Sequence, residues 1–289
     1  MHASLALACV IKTSTVSADL PLIIEDLITD RGKIKLDISL AYANSDKQGV
    51  ATDDPIVVQT GPASFITLPT VIGESRRNSD SLVATLSLRY GLTRKTEVFS
   101  RASYLYSDHR VSDINGTSGS SNSRFTDAWA GINYQFKIDD DTPALLGFAE
   151  IALSEKHRNS SHSFKSAMLG ATSYHAIDPV VLSITMGYRL NQERRDAGTQ
   201  YRPGNLLLLN PSIAFAVNEY ITLATGVQWT NREADKYDGV AQGYRHTSTD
   251  LLLGTSYGIS KGSILDLSFK ANASGQGGTD LRLNWLHTF

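Results

Sequence analysis

The chain ends in Asp280-Leu281-Arg282-Leu283-Asn284-Trp285-Leu286-His287-Thr288-Phe289, and this stretch decides the fold. Read in twos, Leu281, Leu283, Trp285 and Phe289 share one face, while Asp280, Arg282, Asn284 and Thr288 share the other. Successive side chains of a β-strand point to opposite faces, so the tail reads as a strand with one apolar and one polar side. That suits either the edge of a soluble sandwich or the wall of a barrel with an apolar exterior. Repetition of the pattern elsewhere separates the two.

The pattern recurs along the whole chain. Alternating segments fall at 33–43, 81–91, 96–107, 124–137, 144–155, 164–175, 180–191, 204–216, 220–231, 247–258, 263–273 and 280–289. In the cleanest, Val180, Leu182, Ile184, Met186, Tyr188 and Leu190 alternate with a set that includes Ser183, Thr185, Gly187 and Arg189. The least regular is 204–216, with four consecutive leucines and Pro211. These are twelve segments of about ten residues or more, and about 9–11 tilted residues cross a bilayer as a strand.

The connections sort by length. Short ones at 92–95, 138–143, 176–179, 217–219 and 259–262 alternate with longer ones at 44–80, 108–123, 156–163, 192–203, 232–246 and 274–279. Tight periplasmic turns, longer extracellular loops and an even strand number are the pattern of an outer-membrane barrel. A soluble sandwich has no reason to sort its loops this way. Aromatic residues gather at strand ends: Tyr90, Tyr134, Phe136, Tyr174 and Tyr257 near the short turns, and Tyr42, Tyr104, Tyr106, Tyr188 and Trp229 near the long loops. They are expected to form the two interface girdles. The expected fold is all-β: a 12-stranded antiparallel transmembrane barrel over residues 33–289, set in bacterial outer-membrane lipid. Trp285 and Phe289 then read as an assembly signal for the outer-membrane barrel-assembly machinery.

A formal net charge of -2 gives no case for nucleic acid. No stretch approaches the roughly 18 consecutive apolar residues of a transmembrane helix. Residues 1–18 read as a signal peptide: an apolar run around Cys9, then Val16-Ser17-Ala18 as a small-residue cleavage site. No Lys or Arg precedes the apolar run. Cys9 is the single cysteine, so cleavage removes disulfide and thiolate chemistry. Nothing calls for a metal or other cofactor.

A helix is expected at 19–32, with Asp19 as N-cap, Pro21 in the first turn and Gly32 as C-cap. Leu20, Ile23, Ile24, Leu27 and Ile28 fall on one face, and Glu25, Asp26, Asp30 and Arg31 elsewhere. Its apolar face needs a partner, so it is expected to plug the lumen or to contact something in the periplasm. The first long loop is also unusually apolar at Pro55–Glu74. It fits a hairpin above the membrane around Gly61-Pro62, or a segment folded into the pore.

About 8 strands leave an interior that side chains fill, and 16–18 leave an open channel. Twelve lies between, so the inner face should be wet. The polar parity carries Arg89, Arg101, Arg189, Lys270 and Arg282 against Glu97, Asp127, Glu150, Asp250 and Asp266. Facing lipid, an Arg or Lys at the midplane costs about 2–4 kcal/mol. These ten are therefore candidate pore-lining residues, or salt-bridge braces of the wall.

Other classes are weaker. His109, His157, His162, His175, His246 and His287 sit in no recognisable nucleophile arrangement, and the Asp139-Asp140-Asp141 run reads as an acidic turn before Pro143. An enzyme is therefore not expected. About 14 residues between Ala18 and the first strand leave no room for an autotransporter passenger on this chain. An adhesive barrel that displays its first loop is a further reading.

Arg89-Tyr90-Gly91-Leu92, a tight turn and Glu97 at the start of the next strand resemble the outer-membrane family named after the meta-pathway of phenol degradation. A short helix entering a 12-stranded barrel also resembles the secretion barrel of the functional-amyloid (Fap) system. That resemblance implies a helical plug at about Leu20–Arg31. The long coiled-coil region of that family has no counterpart here, which weighs against amyloid export. The resulting expectation is a passive channel for small, organic solutes, gated by the N-terminal helix, with polypeptide export as the alternative.

Overall fold

The structure is a computed structural model that describes residues 28–47, 50–51, 56–59, 65–68, 73–74, 76–113, 116–157, 160–196, 198–274 and 278–289. The proposed signal peptide and residues 19–27 of the expected helix lie outside them.

Twelve long strands form the wall: β1 (Ile34–Lys47), β2 (Arg76–Gly91), β3 (Thr96–Asp113), β4 (Gly116–Lys137), β5 (Ala144–His157), β6 (Ser166–Ile177), β7 (Val180–Asn191), β8 (Leu206–Ala216), β9 (Ile221–Arg232), β10 (His246–Ser260), β11 (Ser263–Asn272) and β12 (Thr279–Thr288). Each pairs antiparallel with its neighbours in sequence. The tail then closes the ring: β12 pairs with β1 from Lys35↔Thr288 to Asn44↔Thr279, and the Phe289 N–H donates to the Ile34 carbonyl at 2.8 Å. Closure removes the free edges, which lets a sheet exist in hydrocarbon where backbone groups have no water.

The two faces are inverted relative to a soluble protein. Ile38, Leu40, Leu86, Leu88, Leu182, Ile184, Met186, Leu251, Leu253, Leu281 and Leu283 are exposed, while Lys35, Asp37, Ser39, Thr85, Ser87, Thr185, Asp250 and Ser256 are buried. A continuous apolar exterior is stable only against lipid. Together with the even strand count and the sorted loops, it places the chain in the bacterial outer membrane. Tyr42, Tyr90, Tyr104, Tyr106, Tyr134, Phe136, Tyr188 and Tyr257 lie on this exterior. Tyr174 does not: it shares the parity of Met168 and is buried inside. The girdle assignment is corrected there, because β6 turns its small residues Ala171 and Ser173 outward and its larger Tyr174 inward.

Above the long-loop end, Ile56–Gln59 pairs with Phe65–Leu68 and Val50–Ala51 with Gly73–Glu74. Of the two readings of the first loop, the hairpin is the one these ladders fit. Two other long loops join in a four-stranded sheet of Arg194–Asp196, Thr199–Arg202, Asp235–Tyr237 and Val240–Gln242. The Tyr201 hydroxyl donates to Asp235 Oδ2 at 2.9 Å within it, and the Tyr201 and Tyr237 rings lie 4.8 Å apart. Burial, then the nearby Asp235 carboxylate, pushes the Tyr201 hydroxyl pKa up.

The expected helix is corrected at its C-terminal end. Residues 28–32 are bent and turned rather than helical: Lys33 N–H donates back to the Asp30 carbonyl at 3.0 Å, Arg31 forms a bridge with Gly91, and Gly32 turns at φ 80°. Asp30 pairs with Lys33 at 2.7 Å. The competing force is a strand-like pairing: Gly32 N–H donates to the Gly91 carbonyl at 2.8 Å, and Gly91 N–H to the Lys33 carbonyl at 3.2 Å. A Cβ on Gly91 would stand 2.1 Å from the Asp30 carbonyl oxygen, so glycine there permits the close crossing.

Candidate functional site: the barrel lumen

The inner wall carries a network of charged pairs and two apolar clusters. On β1–β3, Arg89 lies within 3.7 Å of Asp37 and 3.6 Å of Glu97. Glu97 is fully buried and accepts from Asn133 Nδ2 at 2.6 Å. Next along the wall, Arg101 donates through Nε and Nη2 to the two oxygens of Glu150, both at 3.3 Å, and lies 4.0 Å from Asp127. A two-point guanidinium–carboxylate pair fixes both side chains in orientation as well as charge.

Trp129 links this pair to the next. The guanidinium groups of Arg101 and Arg189 lie over its ring, 5.0 and 4.9 Å from the centroid, and its Nε1–H donates to Asp127 Oδ2 at 3.0 Å. A cation over the face of an indole is attracted by the ring quadrupole. Arg189 then reaches Glu155 at 2.5 Å, and Glu155 holds Arg194 at 3.4 Å. Arg194 also donates to Ser166 Oγ at 3.1 Å, so the first hairpin of the loop sheet is pinned to the wall. On β10–β12, Lys270 pairs with Asp280 at 2.6 Å, Asn272 donates to Asp250 at 2.7 Å, and Asn284 donates to Asp266 at 3.2 Å. Arg282 lies within electrostatic reach of Asp37 and Asp266.

All ten charged residues singled out from the sequence thus fall on the parity opposite the lipid face. Asp37, Trp129, Glu155, Arg194 and Asp280 belong with them and were missed. Trp129 and Asp280 share the parity of chosen neighbours, and Asp37 lies on the polar parity of β1, so all three could have been added. Glu155 could not: it is an odd number of residues from Glu150, and only a register shift at Ala128/Trp129 turns both inward, pairing Asp127 with Glu155. Arg194 comes from a loop that carries no alternation.

The apolar clusters lie at two levels of β5–β8, where Met168 stands beside Glu150 and Leu206 beside Arg189. Toward the long loops, Met168, Leu206 and Leu208 pack with Phe148. The Phe148 ring lies over Gly170, where a Cβ would come within 2.1 Å of it. Toward the short turns, Ala144, Leu146, Tyr174, Val181 and Ala214 form a second cluster.

The chain ahead of β1 meets both kinds of lining at the short-turn mouth. Thr29 is fully buried, and both its N–H and its hydroxyl donate to Glu97 Oε2, at 2.7 and 2.5 Å. Gly32, Asp30 and Thr29 lie against Gly91 of β2. Ile28 packs on the apolar cluster of β5, β6, β7 and β8.

Residues 113–279, more than half of the chain, match the family described as "Putative MetA-pathway of phenol degradation". The chain belongs to this family. The matched span of the phenol-degradation family holds Asp127, Trp129, Glu150, Glu155, Arg189 and both apolar clusters. The Arg89-Tyr90-Gly91-Leu92 motif and Glu97 lie ahead of it. No protein of curated function matches the chain. Among solved structures, the COG4313 outer membrane channel from Pseudomonas putida F1 aligns with a TM-score of 0.65 at 12% identity, covering 91% of this chain and 98% of that one. The translocator domain of the autotransporter NalP from Neisseria meningitidis aligns with a TM-score of 0.52 at 11% identity, covering 89% and 88%. At such identities the likeness shows the fold: a porin-like outer-membrane barrel.

Proposed function

We propose that this member of the phenol-degradation family is a passive outer-membrane channel for small organic solutes, narrowed at its periplasmic mouth by its own N-terminal segment. The observation that supports the reading is the seat of Ile28 and Thr29 at that mouth, Thr29 tied to Glu97 and Ile28 packed on the apolar cluster. A lumen lined by both charged pairs and apolar clusters supports solutes with both kinds of surface. The near balance of charge among the paired residues gives little reason for strong anion or cation selectivity.

Single-channel conductance in planar bilayers tests this, comparing a chain that begins at Asp19 with one that lacks Asp19–Arg31. Large steps that appear only after the deletion establish a channel narrowed by this segment. Equal small conductance in both moves the segment out of the pathway, and silence in both rejects transport.

A further inference from the structure

Between the two apolar clusters runs a row of polar residues. Cross-strand register places Thr172 beside Thr185, Thr185 beside Asn210, Gln228 beside Asp250, and Asp250 beside Asn272. The β8–β9 ladder pairs Leu209↔Trp229 and resumes at Ser212↔Gly226, skipping Asn210 and Pro211. Proline has no N–H to give to a ladder, and continuity of the register sets Asn210 beside Gln228. Six neighbouring strands therefore present one polar band on the inner wall, with directly opposed side chains about 5 Å apart.

The ends of this band are satisfied within it. Thr172 and Thr185 share a hydrogen bond at 2.9 Å, and Asn272 donates to Asp250 at 2.7 Å. The middle is not. Gln228 is fully buried, and among the described residues neither its amide oxygen nor its amide nitrogen has a partner; Asn210 Oδ1 is likewise unpaired there. Buried polar groups are bonded in the great majority of cases, and each exception costs the desolvation of the group. A buried amide with both halves open, beside a second open acceptor, is a cost that a ligand can remove.

We propose that Asn210, Gln228 and Asp250 form a solute-selectivity site for a small neutral amphiphile that carries a donor and an acceptor side by side, such as a primary carboxamide. This rests on the channel reading and names the solute chemistry for it. A primary carboxamide meets the Gln228 amide through two antiparallel hydrogen bonds, and its second N–H is free for Asn210 Oδ1. Leu208 and Leu206 precede Asn210 on the same face of β8 and pack with Met168 and Phe148, so the lining next to these amides is apolar. The Asp250 carboxylate next to Gln228 disfavours a carboxylate ligand of the same shape.

Benzamide and benzoate differ in that head group alone and serve as probes. Their binding to the purified full chain in detergent is measured by ligand-observed saturation-transfer NMR, which needs no conductance. Benzamide is expected to bind at least about tenfold more tightly than benzoate. Gln228→Leu is expected to remove at least about tenfold of the benzamide affinity and leave benzoate unchanged. Asn210→Ala, a smaller change, is expected to lower benzamide affinity in the same direction, and it carries the test should Gln228→Leu not show the heat-modifiable migration of a folded barrel. Equal binding of the two probes, or benzamide binding indifferent to both variants, overturns the site. If benzamide binding depends on Gln228 while bilayers stay silent with and without Asp19–Arg31, the channel reading fails and the site stands. Conductance with no head-group discrimination rejects the site and keeps the channel.

Discussion

Replacing Glu97 by glutamine tests the hold on the N-terminal segment most directly. Glu97 Oε2 accepts two hydrogen bonds from Thr29, and Oε1 accepts one from Asn133 Nδ2 at 2.6 Å beside Arg89. A glutamine keeps the volume but turns one acceptor into a donor. If the amide nitrogen faces Thr29, two donors confront a donor. If it faces Asn133, that contact inverts and the Thr29 bonds lose their charge assistance. Hydrogen bonds to a charged group contribute about 1.5–3 kcal/mol each, so the hold on Thr29 weakens by about 3 kcal/mol. At 1.4 kcal/mol per factor of ten, the released population rises by about two orders of magnitude. Thr29→Ala removes only the hydroxyl bond, and about tenfold is expected.

The assay is the frequency of large openings in planar bilayers, in the full chain and in the chain lacking Asp19–Arg31. Glu97→Gln is expected to raise the frequency about a hundredfold in the first and to change nothing in the second. The double variant Glu97→Gln with Thr29→Ala is expected to exceed neither single change by its full amount, because both delete the same bond. A folded Glu97→Gln barrel that opens no more often than the parent refutes the reasoning, as does an equal effect in the deleted chain.

Gly170→Val is expected to destabilise the barrel by about 1–3 kcal/mol, read from the urea midpoint of heat-modifiable migration, because even a Cβ would stand 2.1 Å from the Phe148 ring and 2.4 Å from the Met186 carbonyl. Phe148→Ala in the same chain is expected to restore part of that loss. At the turn between β4 and β5, the Asp140 carboxylate is held down to about 2 by the Lys137 ammonium and then by Thr142. A lowered folded pKa contributes stability above the unfolded value, about 4, and loses it as pH falls toward 2. Asp140→Asn is therefore expected to flatten the acid dependence of unfolding between those limits and to change nothing at pH 7 beyond the lost contact.

Alternation made every wall strand legible, because each has lipid on one side and a polar or small-residue lumen on the other. It failed wherever the chain departs from a plain ladder. Glu155 points inward only because Leu153 is an extra residue on β5, opposite the step from Ala128 to Trp129. Arg194 joins the lumen network from a loop sheet whose strands are three or four residues long, too short to show a period. The helical spacing of Leu20, Ile23, Ile24, Leu27 and Ile28 describes one face of a helix, yet Ile28 and Thr29 lie in a non-helical segment fixed by contacts to Gly91, Glu97 and Ala214's cluster, all remote in sequence. The unpaired amide of Gln228 was not legible either. It reads as one polar residue in an alternating strand, and its lack of a partner is set by side chains of other strands.

The segment at the mouth is joined to β1 by only a few residues, with Thr29 five positions ahead of Ile34. A tether that short sets the local concentration of the segment at its seat in the millimolar range or above. Reclosure is then a unimolecular event, independent of how many barrels share the membrane, and a free peptide of the same sequence would need comparable concentrations to compete. Lengthening the tether beside Lys33 would dilute the segment at its seat and slow reclosure, while the Thr29–Glu97 bonds themselves stay the same.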